Sequence, residues 1–207
     1  MGQKERRERE KQHRREQILN AARSLLFKEG FNKTSVNKIS KKAELSIGSI
    51  YFYFKNKEEI FAALEQEGLE ILYARIQSET GDIADGVERL RKGAAVYYEF
   101  SRTHSDYFDV INYFLSAPQI FFSNDVNAAI DSKASTILGF IANIVRDGVA
   151  RGVFEEPHPG NYAVFFWASL HGLIQIRKLR GTIIESEDFF TFYQYSVERL
   201  IDSIRRP

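Results

Sequence analysis

The sequence contains no cysteine, only four prolines among its 207 residues, and no apolar run long enough to cross a bilayer. Without cysteine the chain has no disulfides, no thiolate nucleophile and no Cys-ligated metal, which fits a reducing cytoplasm. A membrane-spanning helix needs roughly 20 consecutive apolar residues, and no segment supplies them. Few prolines, together with apolar residues at helical spacing throughout, predict an all-α fold of about nine helices.

The sequence also lacks the motifs of common enzymes. No His-Glu-x-x-His, phosphate-binding loop or nucleophile elbow occurs, and the histidines are scattered at His13, His104, His158 and His171. Asp106 and Asp109 lie near His104, but two acids on an exposed helical turn usually face solvent. We therefore expect no catalytic activity, no metal site and no cofactor.

The charge is divided unevenly along a chain whose net charge is only +1. Residues 1–57 hold 15 Lys and Arg against 6 Asp and Glu, a net of +9, and the remainder holds 14 against 22, a net of −8. A basic end on a nearly neutral chain is typical of a nucleic-acid contact. The segment before residue 14 has no apolar residue after Met1. This basic arm, residues 1–13, is predicted as a solvated tail, a minor-groove contact or a charged extension of the first helix.

Three short helices are predicted close together near the amino end. The first spans about Glu16 to Glu29 and ends at Gly30, a residue suited to a helix C-cap. Ser35, or its neighbour Thr34, can cap a second helix, Ser46 can cap a third, and Asn56 can cap the helix that follows. Helix, three-residue turn, helix is the connectivity of a helix-turn-helix DNA reader, whose second helix enters the major groove.

Several residues in and after the third helix are hard to explain without a phosphate backbone. Tyr51, Phe52 and Tyr53 cannot all point inward from one short helix. Lys57 places a cation in the first turn of the next helix, where the helix dipole disfavours it. Gly48 lowers helix propensity but lets the backbone come close to base edges. The alternatives are a surface lysine, a local aromatic cluster and tight helix–helix packing.

Residues 14–61 resemble the N-terminal domain of the tetracycline-repressor (TetR/AcrR) family of bacterial transcription regulators. The similarity is carried by ILNAARSLLFKEGFNKTSVNKISKKA and then SIGSIYFYFKNKEEIF. One position departs from the family, which usually has glycine where this chain has Glu44. Glycine suits that turn because it tolerates a left-handed backbone. The resemblance implies a helix-turn-helix domain at residues 14–60 and a helical effector-binding and dimerisation domain at residues 61–207.

The resemblance also implies which residues contact DNA. Thr34 and Ser35 would touch phosphate, Asn37 or Lys38 would lie near the groove, and Tyr51, Tyr53 and Lys57 would hold phosphates. The residues presented to base edges would be Ser46, Ile47, Gly48, Ser49 and Phe52. For Ile47 and Phe52 we expect apolar contacts with thymine methyl groups.

The last two predicted helices carry more apolar surface than one face can bury. In the family these helices pair with their copies in a second subunit, and reading two half-sites also requires a two-fold axis. The resemblance therefore implies a homodimer. Its expected interface comprises Trp167, Leu170, Ile174, Phe192, Tyr193, Val197 and Leu200.

Aromatic residues in the middle of the chain could line a ligand cavity. Few charged residues interrupt them, so a hydrophobic small molecule, fatty acyl or aromatic, is the expected effector. The candidate lining residues are Phe100, Phe108, Ile111, Asn112, Phe140, Asn143, Phe166 and His171. The alternative is dry packing of these aromatics with no cavity, in which the Asn and His side chains are satisfied core residues.

The mechanism that the resemblance implies is a population shift. The effector would favour a state with low affinity for a palindromic operator, and the long helix from Lys57 would link the two domains. Without effector the protein would repress transcription. A ligand-dependent activator on the same fold, and a helical protein-binding adaptor, are the alternatives.

Overall fold

The computed structural model describes residues 2–116, 122, 124–179 and 188–206. Within those ranges the chain forms nine α-helices and an isolated antiparallel bridge between Phe154 and Arg205. The all-α prediction is therefore confirmed. The helices are α1 Gln3–Glu29, α2 Val36–Lys42, α3 Ile47–Tyr53, α4 Lys57–Thr80, α5 Gly86–Thr103, α6 Ser105–Leu115, α7 Asn124–Ala150, α8 Pro159–Gln175 and α9 Phe189–Asp202.

The helices fall into two compact units. One, the N-terminal unit, comprises residues 1–68 and 106–130, and the other, the C-terminal unit, comprises residues 69–105 and 131–207. The predicted domain boundaries, at residues 13/14 and 60/61, stay predictions.

The N-terminal unit is built on one face of α1 and on a cluster of aromatic rings. Ile18 and Ala22 are fully buried, so the apolar stripe of α1 lies in the core. Phe31, which follows the Gly30 C-cap, places its ring centroid 5.2 Å from that of Phe61 and 5.7 Å from that of Phe114. This aromatic cluster surrounds the turn between α1 and α2.

The capping residues predicted from the sequence are confirmed. The Ser35 hydroxyl accepts a hydrogen bond from the Lys38 amide at 3.3 Å, and the Ser46 hydroxyl accepts one from the Ser49 amide at 3.0 Å. Asn56 Oδ1 accepts a hydrogen bond from the Glu59 amide at 2.8 Å. Each bond satisfies an amide that the first turn of a helix leaves without a backbone partner, which is why α2, α3 and α4 begin where they do.

The basic arm is a charged extension of the first helix, one of its three predicted forms, because α1 begins at Gln3 rather than near Glu16. Its first ten residues are exposed, so helix propensity and local side-chain pairs maintain it rather than burial. Arg15 marks the point where packing begins, since its guanidinium lies 2.8 Å from Glu67 Oε1.

In the C-terminal unit, α5 packs against α8 and α9. The Tyr193 hydroxyl of α9 donates a hydrogen bond to the Ala94 carbonyl of α5 at 2.9 Å. Arg91 binds both carboxylate oxygens of Glu198, at 2.5 and 2.7 Å, and these contacts fix α5 against α9. In the described ranges, no helix is both long enough and apolar enough to cross a membrane.

Candidate DNA-binding surface and ligand cavity

The turn between α2 and α3 is tight and includes one strained residue. Leu45 donates its amide to the Ser40 carbonyl at 3.0 Å, which closes the turn. Glu44 has a φ of +54°, the left-handed conformation that a Cβ disfavours. The expectation of a left-handed backbone at this position is confirmed, although the residue is not glycine.

Helix α3 buries one side chain and exposes three large apolar ones. Ile50 is completely buried and holds α3 against the N-terminal unit. On the other side, Ile47 is 44% exposed, Tyr51 is 55% exposed and Phe52 is 75% exposed. Apolar groups clustered in water on a seven-residue helix mark a binding surface rather than part of the core.

The polar residues of α3 leave its amino end open. The hydroxyls of Ser46 and Ser49 lie 2.8 Å apart, and both residues are at least partly exposed. A Cβ on Gly48 would meet only the Ser46 hydroxyl, at 3.9 Å, so tight helix packing does not explain this glycine. Tyr53 is half-buried, with its ring edge-on to Phe52 at 5.1 Å. The backbone at the start of α3 is accessible to a ligand.

Around the start of α2, the predicted contacts differ in accessibility. Ser35, Asn37 and Lys38 are exposed, and the Lys38 ammonium forms an ion pair with Glu29 at 2.8 Å. Thr34 is only 2% exposed, and its hydroxyl donates to the Gly30 carbonyl at 2.9 Å. The Thr34 side chain therefore stabilises the α1–α2 turn and is not accessible to a phosphate.

Lys57 has an internal explanation that the sequence did not provide. Its ammonium donates hydrogen bonds to the carbonyls of Phe31 at 3.0 Å and Thr34 at 3.3 Å. The same nitrogen lies 4.1 Å from the centroid of the Phe31 ring. These contacts explain a cation at the start of α4 without a phosphate, so the argument from the helix dipole was wrong for this residue.

Three exposed lysines were missing from the predicted contacts. Lys41 and Lys42 lie in the last turn of α2, and Lys55 lies in the turn after α3. Their proximity in sequence to the Ser35 and Ser46 caps was the available signal. Lys38, Lys41 and Lys42 precede α3 in the sequence and Lys55 follows it, so lysines flank this helix on both sides. Clustered cations of this kind bind a phosphate backbone.

The C-terminal unit contains an apolar cavity of about 20 Å³. Phe140 and Phe166, both predicted pocket residues, line it, as do Leu72 and Ile76 of α4. Its volume accommodates about one water molecule and is far below the roughly 300 Å³ of a drug-sized pocket. Two of the predicted pocket residues therefore line a cavity. A larger ligand would have to widen it.

His171 adjoins this cavity through Tyr97, which lines it. The Tyr97 hydroxyl lies 2.8 Å from His171 Nδ1. Burial raises the pKa of Tyr97 and lowers the pKa of His171, so the phenol and the imidazole that share this hydrogen bond are both neutral. The imidazole is a satisfied core group, as the alternative interpretation of the sequence proposed.

The other predicted pocket residues do not line the cavity. Phe100 is buried and stacks on His104 at 5.4 Å, and Asn143 is exposed and bonded to Arg146. The remaining three, which lie on α6 in the N-terminal unit, are Phe108, Ile111 and Asn112. Helical periodicity predicts that such residues lie on an apolar face of their helix. It does not determine which unit's core that face packs in.

Residues 18–64 match the domain family described as bacterial regulatory proteins, tetR family. This match covers α2, the turn and α3, whose geometry is that of a helix-turn-helix. The N-terminal unit therefore contains a TetR-family domain at residues 18–64.

Relatives and solved structures agree with this assignment. The chain is 28% identical over 141 residues to the fatty acid metabolism regulator protein of Bacillus subtilis strain 168. The aligned region covers 68% of this chain and 70% of the relative. A TetR-family regulator from Marinobacter aquaeolei VT8 has a TM-score of 0.73 at 21% identity, covering 97% and 100% of the two chains. AibR in complex with isovaleryl coenzyme A and operator DNA has a TM-score of 0.73 at 21% identity, covering 91% and 98%. These two structures establish the TetR fold.

Only some of the residues predicted at the dimer interface lie on the surface of the subunit. Four of them are buried within the subunit, so they cannot form an outer surface: Leu170, Ile174, Tyr193 and Val197. Trp167, which is half-buried, and Leu170 line the cavity instead. Phe192 and Leu200 remain partly exposed. The large apolar side chains exposed on α8 and α9 are Val164, Phe165 and Tyr195, and none of them was among the predicted interface residues.

No group of His, Asp or Glu able to hold a metal ion occurs among the residues that the structure describes.

Proposed function

We propose that this protein is a transcriptional repressor that reads a palindromic operator with α3 and leaves it when a hydrophobic small molecule binds the C-terminal unit. The observation that carries the proposal is the outward face of α3, where Ile47, Tyr51 and Phe52 are exposed while Ile50 anchors the helix. A helix-turn-helix supplies such a face to the major groove.

The proposed contacts divide by chemistry. Ile47, Gly48, Ser49 and Phe52 face base edges, with Ser46 at the start of the helix. The phosphate contacts are Ser35, Lys38, Tyr51 and Tyr53, to which the exposed Lys41, Lys42 and Lys55 are added, and Asn37 lies near the groove. Phosphate contacts fix position and carry no sequence information, whereas base contacts specify the sequence.

DNA binding is tested by fluorescence anisotropy with duplex from upstream of the protein's own gene and adjacent genes, located by footprinting. Affinity should fall steeply as salt rises, because each neutralised phosphate releases a counterion. Phe52→Ala should weaken specific binding by about 1–3 kcal/mol, while Phe27→Ala, which removes an exposed ring from α1, should not. Equal effects of the two substitutions would contradict the assignment of α3 as the reading helix.

We further propose a homodimer that uses the exposed apolar face of α8 and α9. Phe165 is 52% exposed and Tyr195 is 64% exposed, and a two-fold axis would present two α3 helices to two half-sites. Sedimentation velocity should show a dimer that Phe165→Asp dissociates. Val153→Asp, at an exposed site outside α8 and α9, is the control. A wild-type monomer would refute the proposed interface.

A hydrophobic effector is supported by the apolar cavity and by the relatives. The AibR structure is a complex with isovaleryl coenzyme A and operator DNA, and the Bacillus subtilis relative is a fatty acid metabolism regulator. Helix α4 connects the two functions in one element, since Lys57 secures the α1–α2 turn and Leu72 lines the cavity. Ligand binding that widens the cavity would favour a state of α4 with lower DNA affinity.

Repression is distinguished from activation by transcription in a strain that lacks the protein. Loss of a repressor raises expression of the footprinted genes, and loss of an activator lowers it. We also propose that the protein acts in the cytoplasm, where its DNA lies, and catalyses no reaction.

A further inference from the structure

Two buried hydrogen-bond donors without acceptors adjoin the apolar cavity. Arg89 and Trp167 both line it. Among the described residues, Arg89 Nε and Trp167 Nε1 are buried and have no hydrogen-bond partner. A buried polar group left without a partner costs about 1–3 kcal/mol, so two of them at one small cavity require an explanation.

Both groups can only donate. Neither a guanidinium nor an indole N–H has an acceptor function, so their complement must be a hydrogen-bond acceptor. Arg89 also carries a positive charge, and its guanidinium carbon lies 5.1 Å from the centroid of the Phe140 ring. In the described ranges no carboxylate lies within ion-pair distance of Arg89, so its charge favours an anionic or strongly polarised oxygen.

Arg89 also borders a second, more polar space. An open cleft of about 310 Å³ is lined by Arg89 and Ile144, which it shares with the cavity, and by Asp147 and Arg151. Arg89 therefore lies between the apolar cavity and the open, more polar cleft. An amphipathic molecule with its tail in the cavity would place its polar end at this residue.

We propose that the effector is an acyl compound whose head oxygen, a carboxylate or acyl carbonyl, is bound by Arg89 and Trp167 while its hydrocarbon tail widens the cavity and occupies it. This inference rests on the proposed function of the same cavity. A single buried water bonded to both donors is the competing explanation, since the cavity is just large enough for one.

The chain supplies its own reporter for the test. Trp167 is the sole tryptophan of the sequence, so intrinsic fluorescence reports directly on the cavity wall. The probes are straight-chain carboxylates of four to sixteen carbons, the corresponding alcohols, and the corresponding coenzyme A thioesters. The alcohols keep the tail but lack the carbonyl oxygen, and the thioesters keep the carbonyl but lack the carboxylate charge.

At least one acid or thioester should bind about 10- to 100-fold more tightly than the alcohol with the same tail. Preference for the acid identifies a carboxylate head, and preference for the thioester identifies an acyl carbonyl. Arg89→Met should remove the preference and leave the alcohol affinity unchanged. Arg146→Met, at an exposed arginine of α7, should leave both affinities unchanged.

A cavity-filling variant separates the tail from the head. A Cβ on Gly93, which lines the cavity, would meet no atom within 4 Å, so Gly93→Ala should fold and, by narrowing the cavity, weaken binding of acids and alcohols alike. Equal binding of acids and alcohols by the wild type would overturn the head-group inference and leave a hydrophobic effector intact. If no acid or thioester binds, the inference is wrong and the buried-water explanation stands. If a compound binds but leaves DNA affinity unchanged, the proposed ligand response fails instead.

Discussion

The left-handed turn at Glu44 leads to a prediction about stability. Its φ of +54° places a Cβ against the following carbonyl, which costs roughly 1–2 kcal/mol for a residue other than glycine. Glycine removes that cost but increases the entropy of the unfolded chain, which offsets about 0.4–1 kcal/mol. Glu44→Gly should therefore stabilise the fold by about 0.5–1 kcal/mol.

The matched control is Glu44→Ala, which removes the same charge and carboxylate but keeps the Cβ. Glu44 is exposed, so this change should leave the unfolding free energy nearly unchanged. Denaturant unfolding followed by circular dichroism measures both variants, and the thermal midpoint should rise by about 2–4 °C per kcal/mol in a chain of this size. If alanine stabilises the protein as much as glycine does, backbone strain is not the cause.

Four further predictions concern stability, packing and pH. Lys57→Met should cost about 1.5–3 kcal/mol of stability, because two carbonyls lose a charged donor. The salt dependence of DNA binding should not change. A salt slope smaller by about one in the variant would show that Lys57 does contact a phosphate. Gly148→Ala should destabilise by about 3 kcal/mol, since its Cβ would overlap the Phe154 ring. Gly93→Ala should instead raise the melting temperature, because open space surrounds the new methyl group; the reverse order would contradict the packing described. Burial lowers the pKa of His171 below 6.5, so the unfolded chain binds a proton that the folded state resists. Stability should fall as pH drops below 6.5 and should fall less in His171→Asn; equal slopes would exclude this group.

Local chemistry was predictable from the sequence because it depends on near neighbours. Ser35, Ser46 and Asn56 cap helices as expected, and the left-handed turn followed from the position of Glu44. The outward aromatic side chains of α3 were also predictable, since a seven-residue helix has too little inner surface for all of them. These features require no knowledge of distant contacts.

The errors concern contacts between residues distant in sequence. Lys57 was correctly noted as unusual, but its carbonyl partners lie 23 and 26 positions away. Tyr193 and Val197 lie on an apolar face of α9, and periodicity alone cannot distinguish a face buried against α5 from one buried in a second subunit. The same ambiguity assigned Phe108 to a cavity in a different unit.

Selection of binding sequences from a random pool of DNA duplexes shows whether α3 reads duplex DNA. The wild-type protein should enrich a palindromic sequence with half-sites about one helical turn apart. The Ile47→Ala and Phe52→Ala double variant should lose that enrichment while keeping its melting temperature, since both side chains are exposed. Enrichment of the same sequence by the double variant, or of none by the wild type, would contradict the claim.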